Sequence, residues 1–269
     1  KTKDAWTTIA ISKEGKVQET LASLIRENER LKNFGFTEAE VERAKASMLQ
    51  RYENMYNNRN KELNEKYVNE YVQSFTDDEG IPGIEYEYNF LKQHAPIISA
   101  DLINGMIKQL INDKNVVISV TGPEKEGLKY PTEEDLTTVF NTVATEKITP
   151  YVETVSNEPL ITKMPKAGTI VKTEKDNTLG TTLWTLSNGM KIAIKKTDYK
   201  DDQILMTSQA YGGTSLIDDK DIYNANMASS VPSIGGIGNF SSTDLKKVLA
   251  GKSAKVNAFI ANTVQGISG

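Results

Sequence analysis

Trp184–Lys196 (WTLSNGMKIAIKK), followed by Tyr211–Asp221 (YGGTSLIDDKD), decides how this chain is divided. An alternating strand runs into Asn188-Gly189, the strongest short-range signal for a hairpin. Met190, Ile192 and Ile194 then alternate with Lys191, Ala193 and Lys195, which predicts a strand with one buried and one wet face. Gln203–Tyr211 is a third strand, closing on Gly212-Gly213, and Asp221–Ser230 is a helix. This order is the opening of a domain, and it begins two-thirds of the way along the chain. The chain is therefore expected to hold the end of one unit and the start of another.

Working outward, Lys147–Gly180 loses periodicity and carries Pro150, Pro159, Pro165 and Gly168, which predicts a linker. Upstream, Trp6–Ile11 is rich in β-formers and predicts a strand. Lys16–Asn33 has helical spacing at Val17, Leu21, Leu24, Ile25 and Leu31. Thr37-Glu38-Ala39-Glu40 is a capping box that opens a long helix. Its apolar stripe lapses at Asn57-Asn58-Arg59-Asn60 and resumes at Leu63, so a break there divides it in two. Ile84–Gln93 is a short helix. Ser99 caps another whose Leu102, Ile103, Met106, Ile107, Leu110 and Ile111 predict a broad buried stripe. Val116–Val120 predicts an interior strand, and Thr132-Glu133-Glu134-Asp135 opens a helix with Leu136, Val139, Phe140 and Val143 on one face. Downstream, Ser242–Leu249 is helical and Ala254–Ile260 is a final strand.

Composition narrows the chemistry further. The 269 residues are 38% apolar and carry a net charge of -4, with acids and bases intermixed. No basic block recommends nucleic acid, and no apolar run approaches the roughly 20 residues needed to span a bilayer. Cysteine is absent and His94 is the only histidine. Zinc sites draw chiefly on His and Cys. This chain therefore cannot assemble an ordinary zinc site from its own residues.

Two blocks resemble the pitrilysin/insulinase family of zinc metallopeptidases, the inverzincins. The first is Gly35–Lys45 (GFTEAEVERAK), followed by Asn58-Arg59 and Val116–Pro123 (VVISVTGP). It is similar to the back half of a family repeat unit. The second is Leu186–Ile194 with Tyr211–Ser215, similar to the front of the next unit. The resemblance implies an α+β fold. It comprises two partial α/β units, each with helices on one face of a mostly antiparallel sheet, joined by the Pro-containing linker. The boundaries are 1–146 for the C-terminal half of one unit, 147–180 for the linker, and 181–269 for the N-terminal part of a non-catalytic unit.

In a catalytic unit of that family, H-x-x-E-H follows the third strand, with zinc on the two histidines and glutamate activating water. Here the corresponding helix is Asp221–Ser230 (DIYNANMASS), without His or Glu. No catalytic, metal-binding or cofactor-binding residue carries over. The resemblance places zinc in the parent protein, bound outside this chain. It implies a non-catalytic internal portion, chamber wall and hinge, of a metalloendopeptidase that hydrolyses peptides in a closed chamber. The alternative is a fragment of a catalytically dead homologue acting as a structural or peptide-binding subunit. Implied partners are the remainder of the parent chain and its peptide substrates, together with self-association through exposed sheet edges. The residues fix no compartment. For a bacterial member the resemblance leaves a periplasmic or other cell-envelope location open.

Other candidates have plainer readings. His94, before Ala95-Pro96, is a loop histidine without ligand partners. Asp77-Asp78-Glu79-Gly80 and Ile217–Asp221 lack the spaced ligands of a calcium loop. Gly235-Gly236-Ile237-Gly238 follows a helix rather than a strand, so it connects helices instead of cradling phosphate. Tyr52, Tyr56, Tyr67 and Tyr71 lie at helical spacing and either line a peptide-binding wall or pack within the fold.

Overall fold

The computed structural model describes residues 5–111, 114–155 and 158–269. Asn112 and Asp113, in the expected first unit, and Ser156 and Asn157, in the expected linker, lie outside them. The fold is α+β. Contacts divide the chain into two compact units, one of Lys1–Ala46 and Asn89–Thr154, the other of Ser47–Tyr88 and Val155–Gly269.

The first unit is built on helices α1 (Val17–Phe34), the start of α2 (Glu38–Asn57), the end of the fourth helix, Ile84–His94, then α5 (Ala100–Leu110) and α6 (Glu133–Ala144). The helices start where side chains can satisfy free amides. Thr37 accepts from the Glu40 amide at 3.3 Å, and Glu40 accepts from the Thr37 amide at 2.8 Å. Thr132 and Asp135 repeat the device at α6, and Ser99 caps α5. The core sits between α1 and α6, where Leu21, Ile25 and Val143 are buried and Leu136, Val139 and Phe140 pack around them. Arg26 holds the far end of α6 through a two-bonded pair with Glu146, at 2.7 and 3.0 Å.

The α1–α2 connection is fastened to α5 by one side chain. Asn104 accepts from the Phe36 amide at 2.7 Å and donates to the Phe36 carbonyl at 3.0 Å, as a neighbouring strand would. Gly35 makes room for it. Its φ is +72°, and a Cβ there would lie 2.4 Å from the Asn104 amide carbon.

Three expectations fail in this unit. Trp6–Ile11 and Val116–Val120 form no strand. Their composition suits a sheet, but no segment among the described residues offers them a ladder of hydrogen bonds. Trp6 instead donates to Asn28 of α1, and Asn28 donates to Thr8, while Ile118 packs on the helical core. The stripe on α5 is also narrower than its spacing predicts. Ala100 and Ile107 are buried, whereas Leu102, Met106 and Leu110 are exposed, because α5 is covered along only one edge.

The second unit holds the rest of α2, then α3 (Asn64–Asp77) and the start of α4, whose full range is Ile84–His94. Two antiparallel three-stranded sheets follow. The first has the order β1 (Ile170–Asp176), β2 (Thr181–Leu186), β3 (Lys191–Ile194). The Asn188-Gly189 hairpin forms as expected, with Gly189 at φ +85° and Trp184 opposite Ile192. Strand β1 lies inside the stretch that lacks periodicity. Every one of its residues is exposed, so it carries no alternation to detect. The buried face expected for β3 is also absent, since Met190 and Ile194 are exposed and only Ile192 is half-buried.

The second sheet has the order β4 (Thr207–Tyr211), β6 (Val264–Ser268), β5 (Asn257–Ile260). Between β4 and β5 run α7 (Ile222–Ala228), α8 (Val231–Gly235) and α9 (Ser242–Val248). Strand β6 has no counterpart among the expected elements. Gly266 at its centre weakens the strand signal, yet a side chain there would strike the Ser208 carbonyl of β4.

Candidate functional site

The segment leading from β4 into α7 occupies the place where the resemblance expects a metal-binding helix. It is positioned mainly by backbone hydrogen bonds, with the Ser215 hydroxyl donating to the Gly212 carbonyl at 2.6 Å. Beyond Tyr211 the chain enters a 3-10 turn, Gly213–Leu216, pressed against the β5–β6 turn. The Gly212 amide donates to Thr263 at 2.9 Å, Thr214 to Ala261 at 2.9 Å and Ser215 to Asn262 at 2.8 Å. At Gly213, φ is +62° and an added Cβ would sit 2.1 Å from the Ala261 carbonyl oxygen. Only glycine fits that approach.

A second short turn, Asp219–Asp221, delivers the chain to α7. Ala225 is the buried residue of that helix, against β5, while Tyr223 and Met227 are exposed. Its side chains are Ile, Tyr, Asn, Ala, Asn, Met and Ala. None offers an imidazole or carboxylate. Among the described residues, no three His, Cys, Asp or Glu side chains come together as a metal site would need.

The other candidates separate in space and in role. The His94 ring stacks on Phe90 with centroids 4.0 Å apart, and its Nδ1 lies 2.7 Å from the Phe90 carbonyl, so the ring is held by its own helix. Asp77–Gly80 is the end of α3. Asp78 has φ +55°, and Ser74 donates to the Glu79 carbonyl at 2.6 Å. Ile217–Asp221 is a turn closed by the Asp221 amide on the Asp218 carbonyl. Gly235–Gly238 joins α8 to α9, with Ile237 bridged to Phe240.

The tyrosines have different surroundings. Tyr56 stacks on Tyr88 with centroids 5.3 Å apart, and the Arg59 guanidinium lies over its ring at 4.1 Å. Tyr67 donates to the Arg59 carbonyl at 2.6 Å. Tyr52 is half-buried and Tyr71 exposed.

One recess of about 330 Å³ opens in the first unit, lined in part by Trp6, Phe36, Arg30 and Glu40. Its charged groups are already engaged. Arg30 donates to the Thr149 carbonyl and to Glu27, and Glu40 closes the cap on Thr37. The shifted carboxylates lie elsewhere. The Thr132 amide, then its hydroxyl, hold Asp135 below the ordinary carboxylate value. The hydrogen bond from Arg26 does the same to Glu146. Both bonds secure the two ends of α6.

No family model matches the sequence. A zinc protease PQQL-like protein of Arabidopsis thaliana is 32% identical over 212 residues, which are 78% of this chain and 22% of that protein. Two solved structures are also similar. The periplasmic protease PqqL of Escherichia coli gives a TM-score of 0.40 at 18% identity, over 93% of this chain and 28% of that one. A mutant of the ferredoxin protease FusC, in complex with Arabidopsis ferredoxin, gives 0.46 at 14%, over 95% and 28%. The chain thus spans about a quarter of the length of the relatives it matches.

Proposed function

We propose, from the premise that this chain belongs to the pitrilysin/insulinase-type family of zinc metallopeptidases, that it is a non-catalytic internal portion of a larger metalloendopeptidase. It forms chamber wall and hinge rather than reaction centre. The observation that carries this is α7. It follows the Gly-Gly turn where catalytic units of the family place H-x-x-E-H, and it reads Ile222–Ala228 without one metal-binding side chain. The donor set of the chain, one histidine and no cysteine, does not fit zinc. Zinc and the water it activates belong to another part of the parent, as do the peptides or proteins it cleaves.

Surface area supports a role inside a larger protein. The chain exposes 21481 Å². A folded monomer of this mass exposes about 11,600 Å², and two separate domains of half the mass about 14,000 Å² together. Much of the excess is apolar. Val68, Tyr71, Val72 and Phe75 form an exposed stripe along α3, at helical spacing. Remaining segments of a longer chain are what such a stripe, and the strand-like segments Trp6–Ile11 and Val116–Val120, are suited to meet.

The test is metal content and peptidase activity, measured side by side. The chain alone is expected to hold far less than one zinc after dialysis and to leave a quenched fluorescent peptide uncut. The full product of the encoding reading frame is expected to cut it and to stop when chelated. Stoichiometric zinc on the chain alone, with activity lost on chelation, overturns the reading. A metal-free, inactive full product transfers it to the catalytically dead scaffold.

A further inference from the structure

The polar break between α2 and α3 does more than interrupt a helix. Asn58 is the buried polar residue of the described chain, 9% exposed. Its side-chain oxygen accepts from the Asp201 amide at 3.0 Å, and its amide nitrogen donates to the Asn54 carbonyl at 3.0 Å and reaches the Asp201 carbonyl at 3.5 Å. Asn57 donates to the Asp202 carboxylate at 2.6 Å, and Lys61 pairs with the Asp201 carboxylate at 3.0 Å. Asp202 is held in the left-handed region at φ +55°. Asn57 and Asn58, from a polar run that sequence alone marks only as a lapse, thus converge with Lys61 on two consecutive aspartates from beyond β3.

Those aspartates lie on Lys195–Met206, the covalent connection between the two sheets. This segment has no regular structure, and Tyr199, Ile204 and Leu205 on it are exposed. At its far end Met206 exchanges two backbone hydrogen bonds with Gly269, at 2.7 and 2.8 Å. Between β3 and that point, the groups from the helical break are its principal anchor. A buried amide that satisfies its donors and acceptor on a neighbouring backbone costs more to break than the exposed charge pair beside it.

We propose that Lys195–Met206 is a strap and the 57–61 break its releasable clasp. Closed, the clasp locks the β1–β3 sheet to the α2–α3 helices as one body. Open, it frees the strap and lets the first sheet move relative to the second on the Lys195–Met206 connection. The device works through local opening, so it is independent of where zinc or any catalytic residue resides.

Hydrogen exchange on the intact chain tests it, read at the Asp201 amide. Asn58→Ala is expected to speed exchange there at least about tenfold, and Asn57→Ala with Lys61→Gln, which keeps the buried amide, about threefold. Trypsin cleavage at Lys195, Lys196 and Lys200 should accelerate in the same order. Amides of α1 and α6 should exchange as in the wild type. Unchanged exchange at Asp201 in Asn58→Ala overturns the proposal. So does a rise in the double variant that is spread equally over α1, α6 and the strap.

Discussion

The two units are held together by different means. Of the apolar residues buried among those described, Leu21, Ile25, Val41, Ala95, Ala100, Ile107 and Val143 belong to the first unit, and only Ala225 and Phe240 to the second. The first unit is a small helical core with its ends tied by caps and by Arg26–Glu146. The second is the longer stretch of sequence, yet it rests on hairpin ladders, a glycine turn and the Asn58 clasp. Apolar burial tolerates local error because neighbours relax around it. A backbone path set by a single close approach does not. Damage should therefore spread through the first unit in proportion to volume lost, and strike the second at points.

The two tryptophans make the contrast measurable. Trp6 lies in the first unit and Trp184 in the second, so Trp184→Phe leaves a reporter for one and Trp6→Phe a reporter for the other. The largest effect is expected from Ile25→Ala, which empties part of the α1–α6 contact. It should cost about 2–5 kcal/mol in urea unfolding followed at Trp6, with little change at Trp184. Gly213→Ala should do the reverse, lowering the Trp184 transition by about 1–3 kcal/mol through left-handed strain and collision with the Ala261 carbonyl. If both variants move both reporters equally, the units are not separate cooperative bodies.

Thr132→Ala is smaller and confined to the α6 cap. It should cost about 1 kcal/mol at Trp6. Smallest is the acid limb. Asp135 and Glu146 are both depressed in the folded state, so their contribution is fully present above the unfolded carboxylate values and fades as pH falls through the folded ones. The Trp6 transition should weaken below about pH 4. Asp135→Asn with Glu146→Gln should flatten that dependence while leaving the Trp184 transition alone.

Helix starts and one hairpin turn were legible in the sequence. Thr37–Glu40, Ser99 and Thr132–Asp135 mark helix starts because a cap is made within a few residues. Asn188-Gly189 marks its turn for the same reason, and the lapse at Asn57–Asn60 marks a true break. Strands were harder, because a strand needs a partner. Trp6–Ile11 has the composition without the ladder, and Ile170–Asp176 has the ladder without a buried face. Asp221–Ser230 was legible as a helix without His or Glu, and α7 forms within it. What the lapse at Asn58 grips could not be read, since Asp201 lies far along the chain and carries no mark of being gripped.

Gly213 has one more consequence. Its glycine is demanded by the path of the backbone against Ala261, whatever helix comes next. A Gly-Gly turn after β4 is therefore a signature of architecture and is blind to chemistry. Replacing the α7 sequence would leave the demand for glycine at 213 unchanged.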